Sequence, residues 1–122
     1  EAAELLGPTA GDGGVLLFLS PDCRTCTGVL AEARASAAHG GGPALTALYA
    51  GPAPEGAEEV GAAVPVHAGR DDLFAAYDAV ATPFAVAVDG TGRVLRATPL
   101  GSAAALPEML DETFPSRLRS TQ

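Results

Sequence analysis

Val15-Leu16-Leu17-Phe18-Leu19-Ser20-Pro21-Asp22-Cys23-Arg24-Thr25-Cys26 runs from an unbroken apolar stretch, through a turn, into a pair of cysteines. An apolar run of this length reads as a central strand covered on both faces. Ser20-Pro21-Asp22 ends the strand and offers helix-starting chemistry, with Asp22 the candidate N-cap. From Cys23 to about Ala38 the pattern is helical. Cys26, Leu30, Ala33 and Ala37 share one stripe, while Glu32 and Arg34 are placed toward water. A thiol in a first helical turn faces unpaired backbone N–H groups and the positive end of the helix dipole. Both favour the thiolate, which is the nucleophile in disulfide exchange. Cys26 lies almost one turn further on and deeper, so the spacing predicts an exposed attacker and a sheltered resolver.

Working outward, residues 1–14 read as an extension, with a short helix over Glu1–Leu6 and a loop over Gly11–Gly14. His39 to Pro43 closes the first long helix. Leu45–Tyr49 reads as a second strand, Glu55–Ala62 as a short helix and Val64-Pro65-Val66 as a third, short strand. Asp71–Asp78 is predicted to be helical, capped by Asp71-Asp72, with Leu73, Phe74 and Tyr77 facing inward. Ala81-Thr82-Pro83 interrupts the pattern. Phe84, Val86 and Val88 then alternate with alanines, Asp89-Gly90-Thr91-Gly92 makes a hairpin turn, and Arg93–Thr98 returns antiparallel. The last helix starts between Ser102 and Pro107 and reaches about Phe114, burying Leu106, Met109, Leu110 and Phe114. Residues 115–122 read as a tail. The order βαβ followed by an antiparallel hairpin predicts an α/β domain over residues 15–114, with a mixed sheet, helices on both faces and a right-handed first crossover.

With 122 residues the chain is long enough to bury a core without a disulfide scaffold, and its 48% apolar content argues against disorder. Its net charge is −8, and all seven basic residues are scattered arginines. No basic stripe exists to neutralise phosphates, which disfavours nucleic-acid binding, and the acidity disfavours an anionic membrane surface. No run is long enough to span a bilayer.

The only cysteines are Cys23 and Cys26. Half of a zinc site is one alternative reading, but four ligands are the rule, and His39 and His67 read as lying in unrelated loops. No metal or cofactor is therefore expected. A purely structural disulfide is another, but so small a loop constrains little chain entropy. Gly90-Thr91-Gly92 precedes a strand, not a helix, and so is no phosphate cradle.

The segment Val15–Cys26 resembles the active-site segment of the thioredoxin superfamily. It is most similar to extracytoplasmic thioredoxin-like proteins of the cytochrome-c-maturation and methylamine-dehydrogenase-accessory type, whose motif reads Phe-Leu-Ser-Pro-x-Cys-x-x-Cys. Thr82-Pro83, Phe84–Asp89 and Gly90-Thr91-Gly92-Arg93-Val94 are similar to the family's cis-proline loop and following hairpin. The resemblance implies a thioredoxin fold with a four- to five-stranded mixed sheet and a cis Pro83 against the cysteines. It also implies a thiol–disulfide oxidoreductase that works on protein thiols and disulfides. Cys23 and Cys26 would be catalytic, with Arg24, Thr25, Thr82 and Pro83 contacting the partner. It further implies a monomer outside the cytoplasm, anchored by a segment upstream of Glu1 and fed by a membrane redox donor; the cytoplasm is the alternative.

Three departures stand out. Asp22 replaces the tryptophan of thioredoxin proper, and Leu17 replaces its buried acid. Val29 replaces a glutamate of the cytochrome-maturation type. These leave Cys26 without an evident base, and they motivate a rival reading as a redox-inactive binding module. A peroxidase is a weaker third reading, since no Thr-x-x-Cys motif precedes Cys23. Arg24 favours a Cys23 thiolate and Asp22 opposes it by a similar amount, so the direction of electron flow stays open.

Overall fold

The computed structural model describes residues 13–39, 44–52, 64–79, 81–91 and 93–114. The expectations for the helices at Glu1–Leu6 and Glu55–Ala62, for the glycine run after His39 and for the tail at 115–122 lie outside them. The described elements are β1 (Gly14–Leu19), α1 (Arg24–His39), β2 (Ala44–Tyr49), β3 (Val66–His67), α2 (Asp71–Ala76), β4 (Phe84–Val88), β5 (Val94–Pro99) and α3 (Ala105–Thr113). They form one five-stranded sheet in the order β3-β2-β1-β4-β5. β1 runs parallel to β2 from Gly14 opposite Ala44 to Leu19 opposite Tyr49. It runs antiparallel to β4, and β4 antiparallel to β5, so the sheet is mixed.

The apolar run of β1 is fully buried because both of its faces are covered. Val15, Leu17 and Leu19 point to one face and pack with Cys26, Val29 and Leu30 of α1 and Leu106 and Leu110 of α3. Leu16 and Phe18 point to the other, where Val86, Val88 and α2's Leu73 meet them. There Phe18 and Phe74 pack edge to face with ring centroids 4.9 Å apart, an arrangement that suits the ring quadrupoles. Each such large side chain removed from water contributes roughly 1.5–3 kcal/mol, which makes β1 the central staple of the fold.

Several sequence expectations shift. Gly14 belongs to β1 and not to a preceding loop. Helix α1 begins at Arg24, so Asp22 is not its cap: the Cys23 N–H donates to the Ser20 carbonyl at 3.3 Å, and the turn consumes Asp22 before the helix starts. The third strand is Val66–His67, starting two residues and ending one residue later than the expected Val64-Pro65-Val66. Pro65 lacks an N–H to give a ladder, though its carbonyl accepts the Ala47 N–H at 2.9 Å. Helix α2 stops at Ala76. Asp71 and Asp72 lie in its first turn and do not cap it; Arg70 holds that position without a side-chain cap. Arg34 is half-buried, not out in water, because the flank of α1 that carries it lies close to Tyr49.

Candidate functional site

The β1–β2 ladder ends at Leu19, and the chain turns at once through Ser20-Pro21-Asp22 into α1. This turn delivers Cys23 to the position just before the helix. Its carbonyl accepts the N–H of Thr27 at 3.3 Å, the first bond of the helical ladder. Its sulfur accepts the N–H of Cys26 at 3.0 Å. That is the bond an N-cap side chain makes to the third residue of a helix, with sulfur in place of the usual oxygen. No acidic residue competes for the amides of the first turn.

Cys23 and Cys26 are joined in a disulfide with Cα atoms 5.1 Å apart. The two sulfurs differ in access: Cys23 is half-buried, whereas Cys26 is 1% exposed and belongs to the core between α1 and the sheet. The Ser20 N–H donates to Cys26 Sγ at 3.4 Å. Leu17 and Val29, both 0% exposed, line the same core, so apolar side chains occupy the two positions at which the resemblance implies an acid.

Opposite the pair, the Thr82-Pro83 peptide bond is cis. The Thr82 carbonyl oxygen lies 4.0 Å from Cys23 Sγ, across 59 positions of sequence. Pro83 is buried, and its carbonyl accepts the Leu100 N–H at 2.9 Å, which ties the loop to the end of β5. Thr82 is half-buried. Arg24 is exposed and Thr25 half-buried in the first turn of α1, beside the cysteines in sequence. The histidines are not in loops as expected: His39 is the last residue of α1, and His67 lies on edge strand β3, separated from β1 by β2. Among the described residues no group of three or more His, Cys, Asp or Glu is placed to hold a metal ion.

Of the titratable groups near the core, Tyr49 is the perturbed one: burial pushes its phenol up, and the nearby Arg34 guanidinium partly offsets this. Two features escaped the sequence reading. The capping role of the Cys23 sulfur and the Ser20 amide on Cys26 both depend on where the β1 ladder stops, and a signal for that exists only in Pro21, which forces the chain to turn.

This architecture is the thioredoxin fold. No protein-family model matches the chain, and no curated protein matches it. Solved structures do. The exposed lipoprotein thioredoxin Etrx1 of Streptococcus pneumoniae is 18% identical, with 84% of this chain and 86% of that chain covered at a TM-score of 0.65. StoA from Bacillus subtilis is 16% identical over 83% of this chain and 84% of that one, at a TM-score of 0.62. A secreted Mycobacterium tuberculosis disulfide oxidoreductase homologous to E. coli DsbE is 20% identical over 84% and 82%, at a TM-score of 0.56. At these identities the likeness is one of fold. Among the described residues no helix is long and apolar enough to cross a membrane.

Proposed function

We propose that the domain is a thiol–disulfide oxidoreductase that exchanges electrons with protein cysteines through Cys23 and Cys26. One observation carries this reading: the more accessible sulfur caps α1, is bonded to a buried second sulfur, and faces the Thr82 carbonyl beside a cis proline. In the reduced form, Cys23 attacks a partner disulfide, and the amides of the α1 start hold its negative charge. Cys26 then displaces the partner and closes the intramolecular disulfide. Thr82 offers its backbone to an extended partner segment that lies against Pro83, and Arg24 and Thr25 border it. The names of two neighbours, an exposed lipoprotein and a secreted oxidoreductase, support a place outside the cytoplasm. There the domain acts as a monomer fed by a membrane redox donor, in the manner of the cytochrome-maturation or methylamine-dehydrogenase-accessory type.

The test is a Cys26→Ser variant, which cannot complete the cycle. It is expected to accumulate mixed disulfides with partner proteins at Cys23, seen as reducible adducts on gels and located by mass spectrometry. Absence of any Cys23 adduct contradicts the proposal. The apolar wall of Leu17 and Val29 favours a second reading, a binding module with an idle disulfide. A Cys23→Ser, Cys26→Ser double variant that binds its partner as wild type does, with no insulin reduction by the wild type, supports that reading instead.

A further inference from the structure

Two backbone amides point at the two sulfurs, and they come from different elements. The Cys26 amide belongs to α1 and serves Cys23 Sγ; the Ser20 amide lies just past β1 and serves Cys26 Sγ. Ser20 is free to do so because β1 pairs with β4 only as far as Phe18 and with β2 only as far as Leu19. The side chains that share the core with Cys26 on β1, α1 and α3 are apolar: Leu17, Leu19, Val29, Leu30, Leu106 and Leu110. Thr46 is the buried polar residue among those described, and it pairs with Leu16, whose side chain lies on the opposite face of the sheet. Among the described side chains, the ionisable groups of the surrounding elements are Tyr49 on β2, Arg24, Glu32 and Arg34 on α1, and Glu108, Asp111 and Glu112 on α3. Glu32, Glu108 and Glu112 are exposed, as are Asp22 and Arg24 at the site entrance, Asp111 is half-buried, and Arg34 interacts with Tyr49.

We propose that the Ser20 backbone amide carries the negative charge on Cys26 Sγ during disulfide exchange and thereby speeds the departure of Cys26 when a thiolate attacks Cys23. The proposal rests on the thiol–disulfide reading above. A thiolate R–S⁻ attacks Cys23 Sγ, the R–S–S–Cys23 bond forms as the Cys23–Cys26 bond breaks, and the electron pair of the broken bond goes to Cys26 Sγ. The incoming thiol is oxidised to the mixed disulfide and Cys26 is reduced; no proton moves in this step. The charge lands on a sulfur that is 1% exposed. Apolar burial disfavours a charged sulfur, and an N–H aimed at the charged form offsets that cost. A leaving thiolate that is better stabilised departs faster. The same amide favours the Cys26 thiolate in the reverse direction, when it resolves the mixed disulfide. The serine hydroxyl plays no part, so the side chain at position 20 is dispensable and the N–H is not.

The experiment compares three proteins. They are wild type, Ser20→Ala, and a semisynthetic protein in which an ester oxygen replaces the residue-20 N–H. Opening of the disulfide by glutathione is followed by mass spectrometry. The ester is expected to slow opening by roughly tenfold, and Ser20→Ala to change it by less than about twofold. Equal rates for ester and wild type, or an equal loss in Ser20→Ala, overturn the proposal. A measurement on the unaltered chain guards against a misfolded ester. In the reduced protein the Ser20 amide proton is expected to move downfield as Cys26 ionises, with the same midpoint. An amide resonance that ignores that ionisation overturns the proposal as well. Failure of the underlying reading looks different: the wild-type disulfide then reacts with no thiol at all, and this proposal falls with it.

Discussion

Helix α1 starts with the Cys23 sulfur accepting the Cys26 amide and with no acidic residue in its first turn, whereas α2 starts after Arg70 without a side-chain cap and carries Asp71 and Asp72 in its first turn. At α2 the carboxylates complement the helix dipole in the ordinary way, and Asp72 also pairs with Arg70 at 3.2 Å. At α1 the same positive end is left for sulfur. Two helices of one small domain thus use the same backbone field differently: one meets it with fixed charges, the other with a sulfur that, on the proposed function, gains and loses charge. The difference supports the proposed placement of the redox chemistry at the α1 start.

Removing the sulfur erases the comparison. Cys23→Ser is expected to abolish disulfide exchange, read as insulin reduction at the uncatalysed background. Loosening the support beneath α1 comes next. Leu17→Ala opens a void between β1 and the α1–α3 layer and is expected to cost about 2–5 kcal/mol in urea unfolding.

Making α1 look like α2 is a gentler intervention. Arg24→Glu sets a carboxylate in the first turn, opposes the Cys23 thiolate by about 1 kcal/mol and destabilises the reduced form. The pair should become more reducing by roughly 20 mV, measured against a glutathione redox buffer.

The other end of α2 offers a contrast in backbone strain. Asp78 has φ 56°, and the N–H groups of Asp78 and Ala79 bond back to Ala75 and Phe74 as a left-handed helix stop. Asp78→Gly is expected to raise stability by about 0.5–1 kcal/mol with no change in reduction potential.

The smallest effect concerns Asp72, whose carboxyl is held below the usual range first by its hydrogen bond to Arg70. A carboxyl lowered in the folded state stabilises the fold above the unfolded value of 3.8, and that contribution is lost as pH falls through the lowered folded value. Asp72→Asn should therefore be slightly less stable than wild type at neutral pH. The two should converge in acid-unfolding curves below the ordinary carboxylate range.

How much of this was readable beforehand varies with the kind of force involved. The Val15–Leu19 run announced a strand buried on both faces because hydrophobic burial is written directly in residue type. The pairing of Cys23 and Cys26 was equally plain from spacing. Caps were less legible. Asp22 has the right side chain for a cap, but the Ser20–Cys23 turn hands that place to sulfur, and backbone geometry outranks side-chain preference there. Asp71 and Asp72 failed as caps for the same reason, since Arg70 holds the non-helical position. The Ser20 amide was invisible, because a backbone donor is assigned by where its neighbours stop pairing, which no single residue type encodes. Arg34 illustrates the remaining gap: a charged residue on a helix flank reads as solvated until the tertiary packing brings Tyr49 beside it.

The central claim is that the accessible sulfur at the α1 start is the activated one. A brief pulse of iodoacetamide on the fully reduced domain at roughly pH 6.5, followed by peptide mapping, tests it directly. Cys23 is expected to take the label at least about tenfold faster than Cys26. Equal labelling, or faster labelling of Cys26, contradicts the account.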